Sequence, residues 1–260
     1  MNVQALRNIP SRQHSVSEAE WQTRVELAAA HRLMDFFGIN DLAHNHLCAR
    51  VPGEPDAFLI KPAEFLFDEV TASTLVKYDF EGQPRQDDAA TLTGGGLIIH
   101  AGLFKARADI HATIHTHTEA IIGVASQRHG LLPINQHAMH FENKIAYHDF
   151  GGFEFDMRQR APLIRDLGDK MIALLRNHGS LVCGRTIGEA FVEHHVLETA
   201  CKGQVAALSA GLENIVLISP ESRSYATGQM EAGHARRAGG GKDWKACLRL
   251  ADRRFPEYRN

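Results

Sequence analysis

Residues 171–175 and 180–183 are two apolar runs separated only by Arg176-Asn177-His178-Gly179. A parallel connection needs about a dozen residues or more, so these runs can pair only as an antiparallel hairpin. Other strand-like runs cover residues 42–50, 57–61, 76–80 and 110–114, with short strand-like pieces within 132–147. Helical patterns interleave with them. Ser15 and Ser17 each precede a glutamate at capping-box spacing, and Trp21, Val25, Ala28, Ala29, Leu33 and Phe36 then recur on one face. Shorter helices are predicted over 71–75, 97–107, 119–127 and 159–167. The best helix starts at Thr186, with Glu189 as its box partner, and runs with an apolar stripe to Leu208. Several connections are too short for repeated crossovers. The pattern therefore predicts an α/β layered fold with a mixed or largely antiparallel sheet.

One domain is expected over residues 1–235, followed by a C-terminal extension, 236–260, with a short helix at 242–254. Residues 219–241, rich in Ser, Gly and Ala, read as a mobile linker. A net charge of -3 offers no basic face for nucleic acid. No apolar run reaches the roughly 18 residues of a membrane span, and the N-terminus has no signal-peptide core. The four cysteines form no CxxC pair, which fits reduced thiols and a cytoplasmic location.

The functional signal lies in the sixteen histidines. His115 and His117 are two apart at the end of a predicted strand, so both side chains leave the same face. His178 stands in the hairpin turn, where it can project into a cleft. Three neutral imidazoles with an open coordination position are a common catalytic zinc set. His111, His137 and His140 are further ligand candidates by position alone. His194 and His195 are adjacent on a helix, about 100° apart, and cannot both face one ion.

The order of motifs adds to this. Ala108-Asp109, His115-Thr116-His117-Thr118, Gly130-Leu131-Leu132-Pro133, Gln136-His137-Ala138-Met139, Tyr147-His148-Asp149, Leu175-Arg176-Asn177-His178-Gly179, Gly184-Arg185-Thr186 and Glu189-Ala190-Phe191 together resemble the class II aldolase/adducin family. Upstream, residues 68–77 followed by Asp79 and Gly82 resemble its adducin-like bacterial branch. The resemblance covers about residues 20–210. It implies a three-layer α/β/α domain with a largely antiparallel central sheet, commonly assembled as a homotetramer with active sites between subunits. It also implies that His115, His117 and His178 hold a divalent ion: zinc first, with manganese, iron or cobalt as alternatives.

Two departures limit the implied chemistry. The position at which the sugar-phosphate aldolases carry their catalytic carboxylate falls on Gly96. Their phosphate-holding stretches correspond to Pro62-Ala63-Glu64-Phe65 and Thr93-Gly94, and Glu64 would repel a phosphate. The expectation is a metal-dependent carbon–carbon lyase, of decarboxylase or aldolase type, for a small carboxylate substrate without phosphate. Decarboxylation gains weight because carbon dioxide leaves without a base.

Among helper residues, His137 is a candidate acid/base, with a hydrogen-bonded structural histidine as the competing reading. Glu119 is a candidate fourth ligand or base, against a helix-start carboxylate facing the local dipole. The resemblance also implies Tyr225 as a site-closing residue and places Asn45 and Arg50 where the family lines its anion pocket. With Thr93 and Gly94 these are the substrate-binding candidates, and Gly94-Gly95-Gly96 could present backbone N–H groups to an anion. The triplet lacks the Lys-Ser/Thr ending of a nucleotide-binding loop. His100, on the helix that follows, reads as packing. Two other readings compete: a non-catalytic adducin-like assembly module, and an iron-dependent oxygenase on the same scaffold.

Overall fold

The structure is a computed structural model that describes residues 11–85, 92, 94–153, 156–233 and 238–260. Seven strands form one sheet: β1 (His46–Arg50), β2 (Ala57–Ile60), β3 (Val76–Asp79), β4 (Ala112–Thr116), β5 (Ile145–His148), β6 (Ile172–Leu175) and β7 (Gly179–Gly184). Their order is β3-β2-β1-β4-β7-β6-β5. Every pair is antiparallel except β5 with β6. The four-residue link fixes β6 and β7 as neighbours, while β5 reaches β6 through the helix Arg160–Leu167, long enough for a parallel crossover.

Helices cover both faces, giving the three-layer α/β/α architecture. Among the described residues they are α1 (Glu18–Phe36), α2 (Gly102–Ala106), α3 (Glu119–Ala125), α4 (Arg160–Leu167), α5 (Ile187–Leu208), α6 (Pro220–Ala232) and α7 (Gly241–Arg254). Side-chain alternation along each strand divides the core. Leu47 and Ala49 of β1 pack with Leu33, Phe191 and Trp244 on one side. Cys48 between them packs with Ile99, Phe104 and Leu181 on the other. A third cluster joins α3 to α5 through Ile121, Val124, Leu197 and Cys201, over Leu174 and Val182. Each fully buried leucine or phenylalanine contributes about 1.5–3 kcal/mol.

The end caps explain why the helices start where they do. Ser17 Oγ accepts from Glu20 N at the head of α1, and Thr186 Oγ1 accepts from Glu189 N at the head of α5. The predicted helix over 71–75 is instead a turn. Thr74 Oγ1 accepts from Thr71 N and donates to Thr71 O, so the hydroxyl takes the backbone groups a helix would use. Within 132–147, only residues from Ile145 onward form a strand.

The segment read as a mobile linker contains α6. Ser219 Oγ accepts from Ser222 N, Pro220 occupies the first turn, and Arg223 pairs with Glu142. These are ordinary start signals, outweighing the Ser/Gly/Ala composition. After it, α7 packs into the first core through Trp244 and Ala251. Tyr258 O and Asn260 O accept from Ala72 N and Ser73 N, tying the end of the chain to the turn before β3.

Candidate metal centre

The pairing of β1, β4 and β7 decides where the histidines meet. His115 lies opposite His46 on β1 and opposite Leu181 on β7. His117 follows the last residue of β4 on the same face. Asn177, at φ 58°, and Gly179 turn β6 into β7 and carry His178 over the end of β4. Gly179 is required there, because a Cβ at this position would lie 2.1 Å from Thr116 O.

The three side chains converge. His117 Nε2 is 2.9 Å from His115 Nε2 and 3.0 Å from His178 Nε2. Among the described residues they are the one group of three or more His, Cys, Asp or Glu able to share an ion. The other ring nitrogens settle the tautomers. His115 Nδ1 donates to Ser180 O at 2.8 Å, since a carbonyl can only accept. His117 Nδ1 donates to Asp41 Oδ2 at 3.1 Å. Both Nε2 atoms therefore point lone pairs into the centre, where they repel unless a cation lies between them. This donor set fits a divalent ion, and the Nδ1 contacts are the outer hydrogen bonds that orient metal-binding imidazoles.

Burial favours the neutral, metal-ready form. It pushes His115 well below the usual histidine range, and it lowers His178 to about 4, with His117 and His148 adding to the effect. Buried bonds brace the surrounding backbone. Asn45 Oδ1 accepts from His117 N at 3.0 Å. Thr116 Oγ1 is 2.6 Å from His194 Nε2 and 3.2 Å from Ser180 Oγ. Thr118 Oγ1 donates to Glu198. Beside His178 runs a cleft lined by Ile98, Phe150, Gln159 and Leu163.

Asp41 is a group that sequence reasoning missed, for it lies in a loop with no motif around it. Lys61 supports that loop: its buried Nζ donates to Ala43 O at 3.0 Å, and burial lowers it to about 8. Asp41→Asn should cost about 10–100-fold in metal affinity, the usual effect of losing an outer partner. Competition with a chromophoric chelator measures this, and an unchanged affinity would leave Asp41 with no part in holding the ring.

Of the proposed substrate residues, Asn45 is brought to the centre. Its Nδ2 is buried without a partner among the described residues. Arg50 is not. Its guanidinium donates to Ile110 O, Pro55 O, Phe104 O and Arg107 O and lies over Phe80 and Phe104. It stands at the far end of β1, with its donors spent on main chain, and this corrects its assignment as a substrate arm. Gly94 opens the helical turn that leads to Gly96–Ala101; Thr93 lies outside the described residues.

Glu119 is an exposed first residue of α3 and does not join the three imidazoles, so it matches the helix-start reading. His137 is exposed ahead of the turn Ala138–Phe141, which packs on α5 and α6. Tyr225 is 71% exposed on α6. Neither is brought to the three histidines of its own chain. His111 is exposed and His140 half-buried, both apart from the cluster.

The model of the class II aldolase and adducin N-terminal domain matches residues 25–205, well over half of the chain. The chain belongs to this family. A Caulobacter vibrioides protein named for the class 2 aldolases is 40% identical over 243 residues, 94% of each chain. Alpha-adducin of Rattus norvegicus is 35% identical over 88% of this chain, which spans 33% of the adducin. In structure, an aldolase II superfamily protein from Pseudomonas syringae superposes with a TM-score of 0.90 at 40% identity, covering 96% of this chain and all of that one. An L-fuculose 1-phosphate aldolase from Glaciozyma antarctica shares the fold with a TM-score of 0.81 at 24% identity, each chain covered in full. The family and the layered fold expected from the motifs are thus those observed.

Proposed function

We propose that this class II aldolase family member is a divalent-metal-dependent carbon–carbon lyase. Its substrate is a small oxo- or hydroxy-acid without a phosphate. The observation that carries the reading is the convergence of His115, His117 and His178 through Nε2, with two opposite nitrogens bonded to acceptors that leave lone pairs facing inward. His115, His117 and His178 would hold a divalent ion, zinc first among the candidates, which would supply Lewis acidity to the substrate oxygens.

The chain's own residues divide the remaining work. Asp41 and Ser180 O hold the imidazoles in their binding tautomers. Asn45 fixes the His117 backbone with its oxygen. The Ile98–Phe150–Leu163 side of the cleft excludes water from the carbon being cleaved. Glycine at position 96 gives no proton acceptor, which favours decarboxylation over a step that begins with deprotonation. His137 and Tyr225, exposed on their own chain, would serve a site only across a subunit contact of a homo-oligomer.

Similarity to adducins supports one other reading, a non-catalytic assembly module. Metal content and turnover separate the two. Zinc-loaded protein should release carbon dioxide or an aldehyde from some member of an oxo-acid panel, lose that activity on chelation and regain it with zinc. Activity that survives complete chelation excludes the metal-dependent mechanism. Protein that takes up no stoichiometric metal favours the assembly module.

A further inference from the structure

A second chain of hydrogen bonds among buried polar groups runs beside the proposed ligand set. His46 faces His115 across the β1–β4 pair, with ring centroids 5.1 Å apart and 33° between planes. His46 Nδ1 is 2.6 Å from His100 Nε2, and His100 Nδ1 is 2.6 Å from Thr113 Oγ1. His100 sits on Gly96–Ala101, wound as a wide π turn of a kind frequent at functional sites.

Hydrogen-bond direction in this chain is determined. Thr113 and His100 are completely buried. Among the described residues the Thr113 hydroxyl proton has one acceptor, His100 Nδ1. The hydroxyl therefore donates, His100 keeps its proton on Nε2 and donates to His46 Nδ1, and His46 is left protonated on Nε2. The reverse order would strand a buried O–H without an acceptor. His46 Nε2 makes no hydrogen bond among the described residues. The backbone facing it is Gly95, where an added Cβ would come within 2.7 Å of that nitrogen. A side chain there would cover the N–H, and glycine leaves it open.

We propose that His46 is a further catalytic residue, donating Nε2–H to a substrate oxygen held between Gly95 and the three-histidine centre. His100 and Thr113 are positioning residues that fix the direction of this proton. The oxygen served is one that gains negative charge during cleavage, a carboxylate or enolate oxygen, and a neutral fixed donor needs no reorganisation to meet it. This inference rests on the metal-dependent reading above, and its test has arms that fail separately.

Histidine-selective ¹⁵N labelling at neutral pH reads the tautomer without any activity. His46, assigned by its loss in His46→Gln, should carry its proton on Nε2, and Thr113→Val should move part of the population to Nδ1–H. Wild-type His46 protonated on Nδ1 overturns the relay, whatever the protein catalyses. The second arm titrates zinc-loaded protein with acetohydroxamate, a bidentate oxygen probe. His46→Leu should bind it about tenfold more weakly at full zinc content, the worth of one hydrogen bond to a charged oxygen. His46→Gln, which keeps an N–H near the same place, should recover most of the loss. If His46→Leu does not fold, Gly95→Ala crowds the same nitrogen and should show the same weakening. Equal probe affinity at full zinc content overturns the role of His46 alone. Failure of the wild type to take up zinc overturns the metal-dependent reading and this inference with it.

Discussion

His178→Ala is expected to lower zinc affinity by roughly three orders of magnitude. A metal-binding free energy of about 10–16 kcal/mol, shared among its ligands, assigns about 4 kcal/mol to each, or three decades. The lyase reaction should fall with it to the level of chelated protein. Of the three positions, this one isolates metal binding from folding. His115 is buried in the middle of the sheet, and His117 anchors Asn45 and Asp41. His178 is only partly buried, in a turn whose geometry belongs to its neighbours: Asn177 supplies the positive φ and Gly179 the close approach to Thr116 O. Removing the ring should therefore leave the metal-free protein folded, with its thermal midpoint little changed. Metal per chain and chelator competition measure the effect. An alanine variant that holds stoichiometric zinc as tightly as the wild type would remove His178 from the centre.

The sequence showed this centre to the extent that the centre is local. The β6–β7 hairpin follows from a four-residue link, and the His115–His117 pair from strand alternation. The cap of α5 follows from Thr186. None of these depends on which strands are neighbours. The outer partners do. His46 meets His115 only because β1 pairs with β4 in that register, and His100 and Thr113 join through contacts that no sequence spacing encodes. Arg50 was misplaced for the same reason. It shares β1 with His46 but lies four residues further on, roughly 13 Å along an extended strand, and so at the opposite end of that strand. The missed α6 differs, since Ser219-Pro220 is a readable helix start that composition outweighed. Position along the chain does not say on which side of a fold His137 and Tyr225 emerge, while for Glu119 the helix-start reading is the one the fold matches.

Lowering the pH from 7.5 to 5 should remove about 6 kcal/mol of folding stability from the metal-free protein through His31, His100 and His194 alone, a large part of the roughly 5–15 kcal/mol a domain possesses. These three lie outside the proposed ligand set; in the metal-free chain His46, His115 and His178, which burial also lowers, add to the fall in the same direction. His31, His100 and His194 are completely buried, and burial lowers each from 6.5 to about 3. They stay neutral in the folded chain, whereas the unfolded chain protonates them below pH 6.5. Between 6.5 and about 3 the unfolded state thus binds more protons, and stability falls as pH falls, by up to about 4 kcal/mol per pH unit for the three together. Unfolding near pH 5 would precede protonation of most carboxylates. His31 gives the cleanest control. Its Nδ1 donates to Leu27 O, its Nε2 is buried with no partner among the described residues, and its ring packs edge-on against Phe67 at 5.0 Å. His31→Leu removes the ionisable group and the unpaired nitrogen while keeping an apolar contact with Phe67. Denaturant unfolding across this pH range should show a slope shallower by up to about 1.4 kcal/mol per pH unit in that variant and a gain in stability at pH 5. A wild-type stability that stays level from pH 7 to 5 would mean that these imidazoles reach water, or bind protons, inside the folded chain.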